Sequence, residues 1–254
     1  MSFTRRPTES INGQVSDSLY PITYRFRSPD GGLKVFHIEL ERPDLNLHKK
    51  EPELDLPVWT ELGHEQCPNC PLSTKQHSRC PIAVNLVGVV EAFNDVFSYD
   101  ESEVEVITEA RKFSTRTKNT NAVGSLIGIY MVTSGCPIMD RLRPMVLTHL
   151  PFATTEESVY RSISMYLMAQ YFRQKNGLPP DWDLKEFSAF YEEVNTVNQA
   201  FVKRLTTFVE RGTSLNAVVL LNRFATATRR VINSERFEEI ERMFGAHLTA
   251  PSGE

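Results

Sequence analysis

The chain has 254 residues, 41% apolar and 24% charged, which supports a folded core and excludes a wholly disordered protein. With 28 Lys and Arg against 32 Asp and Glu the net charge is −4, so the overall electropositivity of a nucleic-acid coat or polybasic membrane binder is absent. No apolar run reaches the roughly 18 to 20 residues that span a bilayer, and the first twenty residues lack the apolar centre of a signal peptide. The expected location is cytoplasmic.

Residues 1–18 are polar and aperiodic, and a mobile tail is expected there. Ile22, Tyr24 and Phe26 then alternate with polar residues, Ser28 to Gly32 supplies turn residues, and Phe36, Ile38 and Leu40 alternate again, which predicts a hairpin. The Pro-rich, acidic stretch from Pro43 to Pro57 reads as a surface connection. From Pro81 the period turns helical, with Ile82, Leu86, Val89, Val90, Phe93 and Phe97 on one stripe. A second hairpin is expected from Val104 and Val106 to the run Lys112–Arg116, turning near Thr108 and Glu109.

Val123, Leu126, Ile127, Tyr130 and Met131 form another helical stripe, which Gly135 should end. Thr154 and Glu157 have the spacing of a capping box, opening a helix that turns Val159, Ile163, Tyr166, Leu167 and Tyr171 inward as far as Gly177. Asp183 and Glu186 repeat the pattern before a long helix to Gly212, and Ser214 and Ser234 should open two more. Strands confined to the first half and helices filling the last hundred residues predict an α+β fold with one small antiparallel sheet. The expected division is a tail (1–18), an α+β domain (19–176) and a helical region (181–248) that is separate or part of the same domain.

The cysteine inventory is Cys67, Cys70, Cys80 and Cys136, and every one precedes a proline. With 15 prolines in 254 residues that uniformity is far from chance and marks the four as equivalent. A C-x2-C pair brings two thiolates out of one turn, a third follows after nine residues, and Cys136 can close the set from a helix end. These four are the expected metal ligands. Zinc is the simpler occupant, an iron–sulfur cluster uses the same four thiolates, and disulfides or unrelated buried thiols are the remaining reading. His64 and His77 flank the cluster as alternative ligands or hydrogen-bonding neighbours, or else are solvated loop histidines.

The run CPNCPL, HSRCPIAVNL, SGCPIM, LRPM, HLPF and EESVYRSISMYLMAQYF resembles a family of uncharacterised bacterial proteins that share the cysteine cluster, the Ser-Gly-Cys-Pro turn and the His-Leu-Pro-Phe turn. The likeness covers residues 55–175 and brings no activity with it. It implies that Cys67, Cys70, Cys80, Cys136, His149 and the helix after Thr154 act as one unit.

Walker, dinucleotide, nucleophile-elbow, zinc-protease and EF-hand signatures are missing, so a familiar enzyme class is not expected. Cys136 at a helix C-terminus faces a negative dipole that disfavours a nucleophilic thiolate. Arg141, Arg143 and His149 lie where a polar pocket beside Cys136 could form, with His149 as acid, base or alternative ligand and Arg143 and His149 near the cluster, or else the arginines are solvated or pair with Asp140 and His149 caps a turn. Lys203, Arg204, Arg211, Arg223, Arg229 and Arg230 against Glu210 could make a basic face for nucleic acid, although such runs are usually wet helix surfaces. The resulting expectation is a non-enzymatic metal-binding protein whose C-terminal helices meet a protein partner or a second copy. A redox or iron-sensing protein and a nucleic-acid regulator are the alternatives.

Overall fold

The computed structural model describes residues 18–48, 55–97, 99–208, 213–231 and 235–248. The expected tail and the cap at Ser234 lie outside these residues. Strands β1 (Leu19–Arg27) and β2 (Leu33–Glu41) form the first hairpin, turned at Gly31 with φ of +91°. A two-residue β3 (Asn46–Leu47) pairs with β2 inside the stretch expected to be a plain connection. β4 (Glu101–Thr108) and β5 (Lys112–Lys118) form the second hairpin. Pairing of β1 with β4 joins the hairpins into one antiparallel sheet in the order β3-β2-β1-β4-β5.

The strands' alternation puts Ile22, Tyr24, Phe26, Ile38, Leu40, Val104 and Val106 on one buried face. Helices α1 (Pro81–Ala92) and α2 (Asn119–Thr133) contribute Leu86, Val90, Phe93, Leu126 and Ile127 to the same core. Phe93 meets Phe26 edge-to-face, with centroids 5.0 Å apart. Gly135 stops α2 in the left-handed conformation, at φ +88°.

Helices α3 (Thr155–Lys175), α4 (Phe187–Thr206), α5 (Thr213–Val231), α6 (Glu235–Arg242) and α7 (Gly245–Leu248) follow. α4 packs along α5, and α5 along α2. Phe187, Tyr191, Val194, Phe201, Leu205, Ala217 and Val218 are buried in the core that the sheet also lines. The apolar faces of the C-terminal helices are thus largely consumed inside this chain.

Four sequence expectations are corrected. Phe97, past the end of α1, is 62% exposed, and Tyr171 is 54% exposed because the buried stripe of α3 runs on from Tyr166 to Gln170 instead. α4 is not capped by Asp183, which pairs with Lys185; the Asp181 carboxylate accepts the amides of Lys185 at 3.0 Å and Glu186 at 2.8 Å. Ser214 lies buried within the first turn of α5, which begins at Thr213.

The capping box of α3 is complete: Thr154 Oγ1 accepts the Glu157 amide at 3.2 Å and Glu157 accepts the Thr154 amide at 2.8 Å. Thr154→Ala should lower unfolding stability by about 1 kcal/mol and Thr154→Ser by much less, measured by urea denaturation.

Candidate metal centre

The cysteine loop is stapled at its base. Thr60 O accepts the Cys80 amide at 2.8 Å and Ser78 O accepts the Leu62 amide at 3.0 Å, so the chain leaves and re-enters as a two-stranded neck. Above it, Cys67-Pro68-Asn69-Cys70 closes a tight turn in which Cys67 O accepts the Cys70 amide at 3.0 Å. Asn69 Nδ2 donates to Glu193 O at 3.0 Å, tying this turn to α4. Cys80 is the residue at the head of α1, with Pro81 in the first helical turn, where a missing amide costs nothing. Cys136 follows the Gly135 stop of α2. A cleft of about 510 Å³ has Arg79 and Pro81 on one wall and Ser134 and Gly135 on another, so the Cys80 and Cys136 segments face each other.

The four cysteines form no disulfide, Cys80 and Cys136 are buried and Cys67 and Cys70 partly so, and all pack on the same core. Burial pushes the Cys67 thiol up to about 12, the negative charges of Cys80, Cys70 and Cys136 push in the same direction, and Arg204 opposes them. Burial also raises Cys136, against the amides of Met139 and Ile138, which donate to its sulfur. Proline at 137 removes one amide, and the turn after it supplies two others. The sulfurs therefore lie within one another's fields. Among the described residues no three His, Cys, Asp or Glu side chains are gathered closely enough to enclose a single ion.

Arg204, which the sequence placed on an exposed basic face, lies inside the protein near the cysteine loop. It is 1% exposed, and its guanidinium donates to Trp59 O at 2.7 Å, Glu61 O at 2.6 Å and Leu62 O at 3.3 Å. These carbonyls satisfy its hydrogens but not its charge, and among the described residues it makes no ion pair with a carboxylate. A sequence signal existed: Arg204 falls three residues after buried Phe201, on the apolar stripe of α4.

The other singled-out residues lie in separate settings. His64 Nε2 bonds the Thr207 hydroxyl at 2.7 Å, beyond the end of α4. His77 lines the 510 Å³ cleft with Arg79. Arg143 pairs with Asp140 at 2.8 Å and donates to Asn46, and Arg141 pairs with Glu193 and covers the Phe190 ring at 4.4 Å. His149 turns into the molecule, where its Nε2 meets the Tyr24 hydroxyl at 2.6 Å. In the basic run, Arg204 is inside the protein and Arg229 pairs with Glu192; Glu210 and Arg211 lie outside the described residues.

Two measurements follow from these contacts. Arg204→Met strands three carbonyls of the neck and should cost at least about 3 kcal/mol in chemical denaturation. Burial of the ring, reinforced by the charge of Arg161, holds His149 down at about 3. Its unfolded value is about 6.5, so the stability of the neutral form is complete above about pH 6.5 and is lost as pH falls through the acidic range. The loss should approach about 1.4 kcal/mol per pH unit in that window, and His149→Gln should flatten it.

No curated protein and no solved structure is detectably similar to this chain. Among the described residues no helix is long and apolar enough to cross a membrane. A family model matches residues 22–245, which takes in the sheet, the cysteine loop and the C-terminal helices together: the chain belongs to the family DUF6901, a domain of unknown function.

Proposed function

We propose that Cys67, Cys70, Cys80 and Cys136 hold a metal centre that fastens the cysteine loop to the ends of α1 and α2 and makes the protein a metal-dependent interaction or regulatory module. The observation that carries this reading is four Cys-Pro thiols, from three separate segments, packed on one core with a buried arginine that, among the described residues, pairs with no carboxylate. The donor set fits a thiophilic metal, since it is all sulfur and two amides already point at Cys136. Four thiolates around zinc leave a double negative charge, which Arg204 would offset.

An iron–sulfur cluster is the second occupant, because it uses the same four thiolates. Sulfurs around one zinc sit about 4 Å apart and those around a cubane farther, so the metal-bound spacing tells the two apart. With Cys67 pushed up to about 12, binding must expel protons, so affinity should rise with pH. Binding of a protein partner or a second copy is part of the proposal, through surfaces left outside the core. The nucleic-acid alternative has lost Arg204 and Arg229 from its basic face.

Elemental analysis with an absorption spectrum on anaerobically purified protein tests the centre, because zinc is colourless and iron–sulfur is brown. Stoichiometric metal is expected in the natural chain, and its absence overturns the reading. Cys136→Ser should lose the metal and lower Tm by several degrees, since closing the loop from Cys80 restrains the unfolded chain. Full metal in Cys136→Ser would assign the fourth position to His64, His77 or water.

A further inference from the structure

A cavity of about 480 Å³ lies among α2, the Met139–Thr148 turns, α3, α4 and α5, away from the cysteine positions. Its walls are mostly apolar, with Ile129, Val132, Val146, Leu221 and Phe224 among them. Set into them are three polar atoms that are buried and lack a hydrogen-bond partner: Arg161 Nε, Tyr191 Oη and Asn198 Oδ1. Tyr191 and Asn198 are 1% and 2% exposed. Ser162 is close enough to Tyr191 for a weak polar contact but outside normal hydrogen-bond geometry, and it gives its own proton to Val159 O at 2.8 Å. Buried polar groups in folded proteins are overwhelmingly bonded, so three at one cavity describe a site for a ligand.

Charge identifies that ligand. Arg161 is the one formal charge among the described lining residues, because burial keeps His149 neutral. Its Nη2 donates to Met145 O at 2.7 Å, and no carboxylate lies within ion-pair distance of it among the described residues. Glu157, one turn earlier on α3, is the carboxylate that Arg161 feels electrostatically, but it lies outside ion-pair distance and is engaged in the capping box. Arg161 and Tyr191 interact electrostatically and so form one donor end. Asn198 is seven residues beyond Tyr191 on the same helix, about 10 Å along its axis, and offers an acceptor.

We propose that this cavity binds a small organic monocarboxylate with an apolar body, its carboxylate on Arg161 Nε and the Tyr191 hydroxyl, its chain among Ile129, Val132 and Phe224, and a donor such as a terminal hydroxyl reaching Asn198. A pocket of this size suits a ligand of that class. The site stands on the cavity alone and is independent of the metal centre.

Calorimetric titration of the full chain with decanoate, 10-hydroxydecanoate and decan-1-ol, all below micelle or solubility limits, tests it. The expected result is one saturable site for decanoate, at least tenfold tighter than for decan-1-ol, and tighter again for 10-hydroxydecanoate. Arg161→Gln should weaken decanoate at least tenfold and leave decan-1-ol unchanged. Tyr191→Phe, which keeps the ring, should weaken decanoate severalfold and serves if Arg161→Gln does not fold. Gly128→Leu, where an added Cβ meets only Leu221 at 3.9 Å before the side chain enters the cavity, should abolish binding of all three. Equal affinity for the acid and the alcohol, no saturable binding, or binding that survives Gly128→Leu overturns the proposal.

Discussion

A single buried guanidinium holds the two halves of this protein in register. Arg204 rises from the helical half and takes three carbonyls from Trp59 to Leu62, the neck from which the cysteine loop departs. A lysine has three rotatable donors and no fork, so it could not serve three carbonyls spread along a curved backbone as a guanidinium does. Without this contact the neck would offer buried carbonyls with no donor, and the loop above it would lose its fixed base. The positions of Cys67 and Cys70 relative to Cys80 and Cys136 depend on that base.

The two sites share an electrostatic logic. Each contains an arginine that, among the described residues, makes no ion pair with a carboxylate: Arg204 near the thiols, fully buried, and Arg161 at the apolar cavity, partly buried with its Nε shut off from water. A buried charge of this kind is costly unless an anion meets it. Carbonyl oxygens reduce the cost by hydrogen bonding, as Trp59 does for Arg204 and Met145 for Arg161. A thiolate centre in one place and a bound carboxylate in the other would complete the compensation. His149 belongs to the second setting and not to the cysteines, because its ring is turned onto Tyr24, and Tyr24 also bonds Ser125 at 2.9 Å.

The C-terminal helices show how one apolar pattern serves two ends. Numerous apolar positions from residue 187 onward fit an interaction surface as well as an internal one. Phe187, Tyr191, Val194 and Phe201 go into the core because α5 lies between α4 and α2 and connects both to the sheet side. What remains outside is a different set, including Met168, Tyr171 and Phe172 on the far half of α3. The helix outruns the body it packs against, and its last turns keep apolar residues in water.

Much of the architecture was legible in local chemistry. Alternation of period two marks β1, β2 and β4, Ser28 to Gly32 marks a turn, Gly135 marks a helix end, and the Thr154–Glu157 pair marks a helix start; each acts over a few residues and needs no distant partner. The uniform Cys-Pro context likewise singled out four residues as a set. Where they lie relative to one another was not legible, since Cys136 is 56 positions from Cys80 and no short-range rule reports a meeting across that span. The burial of Arg204, the cap by Asp181 in place of Asp183, and the three stranded polar atoms at one cavity have the same origin. Each depends on what a distant segment places beside a side chain, and a charge or an amide reads identically in sequence whether its neighbour is water or a core. The sequence by itself determined most of the elements, several of their ends and the set of four thiols; the packing of α4 and α5 onto the sheet decided which polar groups lost their water, because desolvation exists only once the chain has closed on itself.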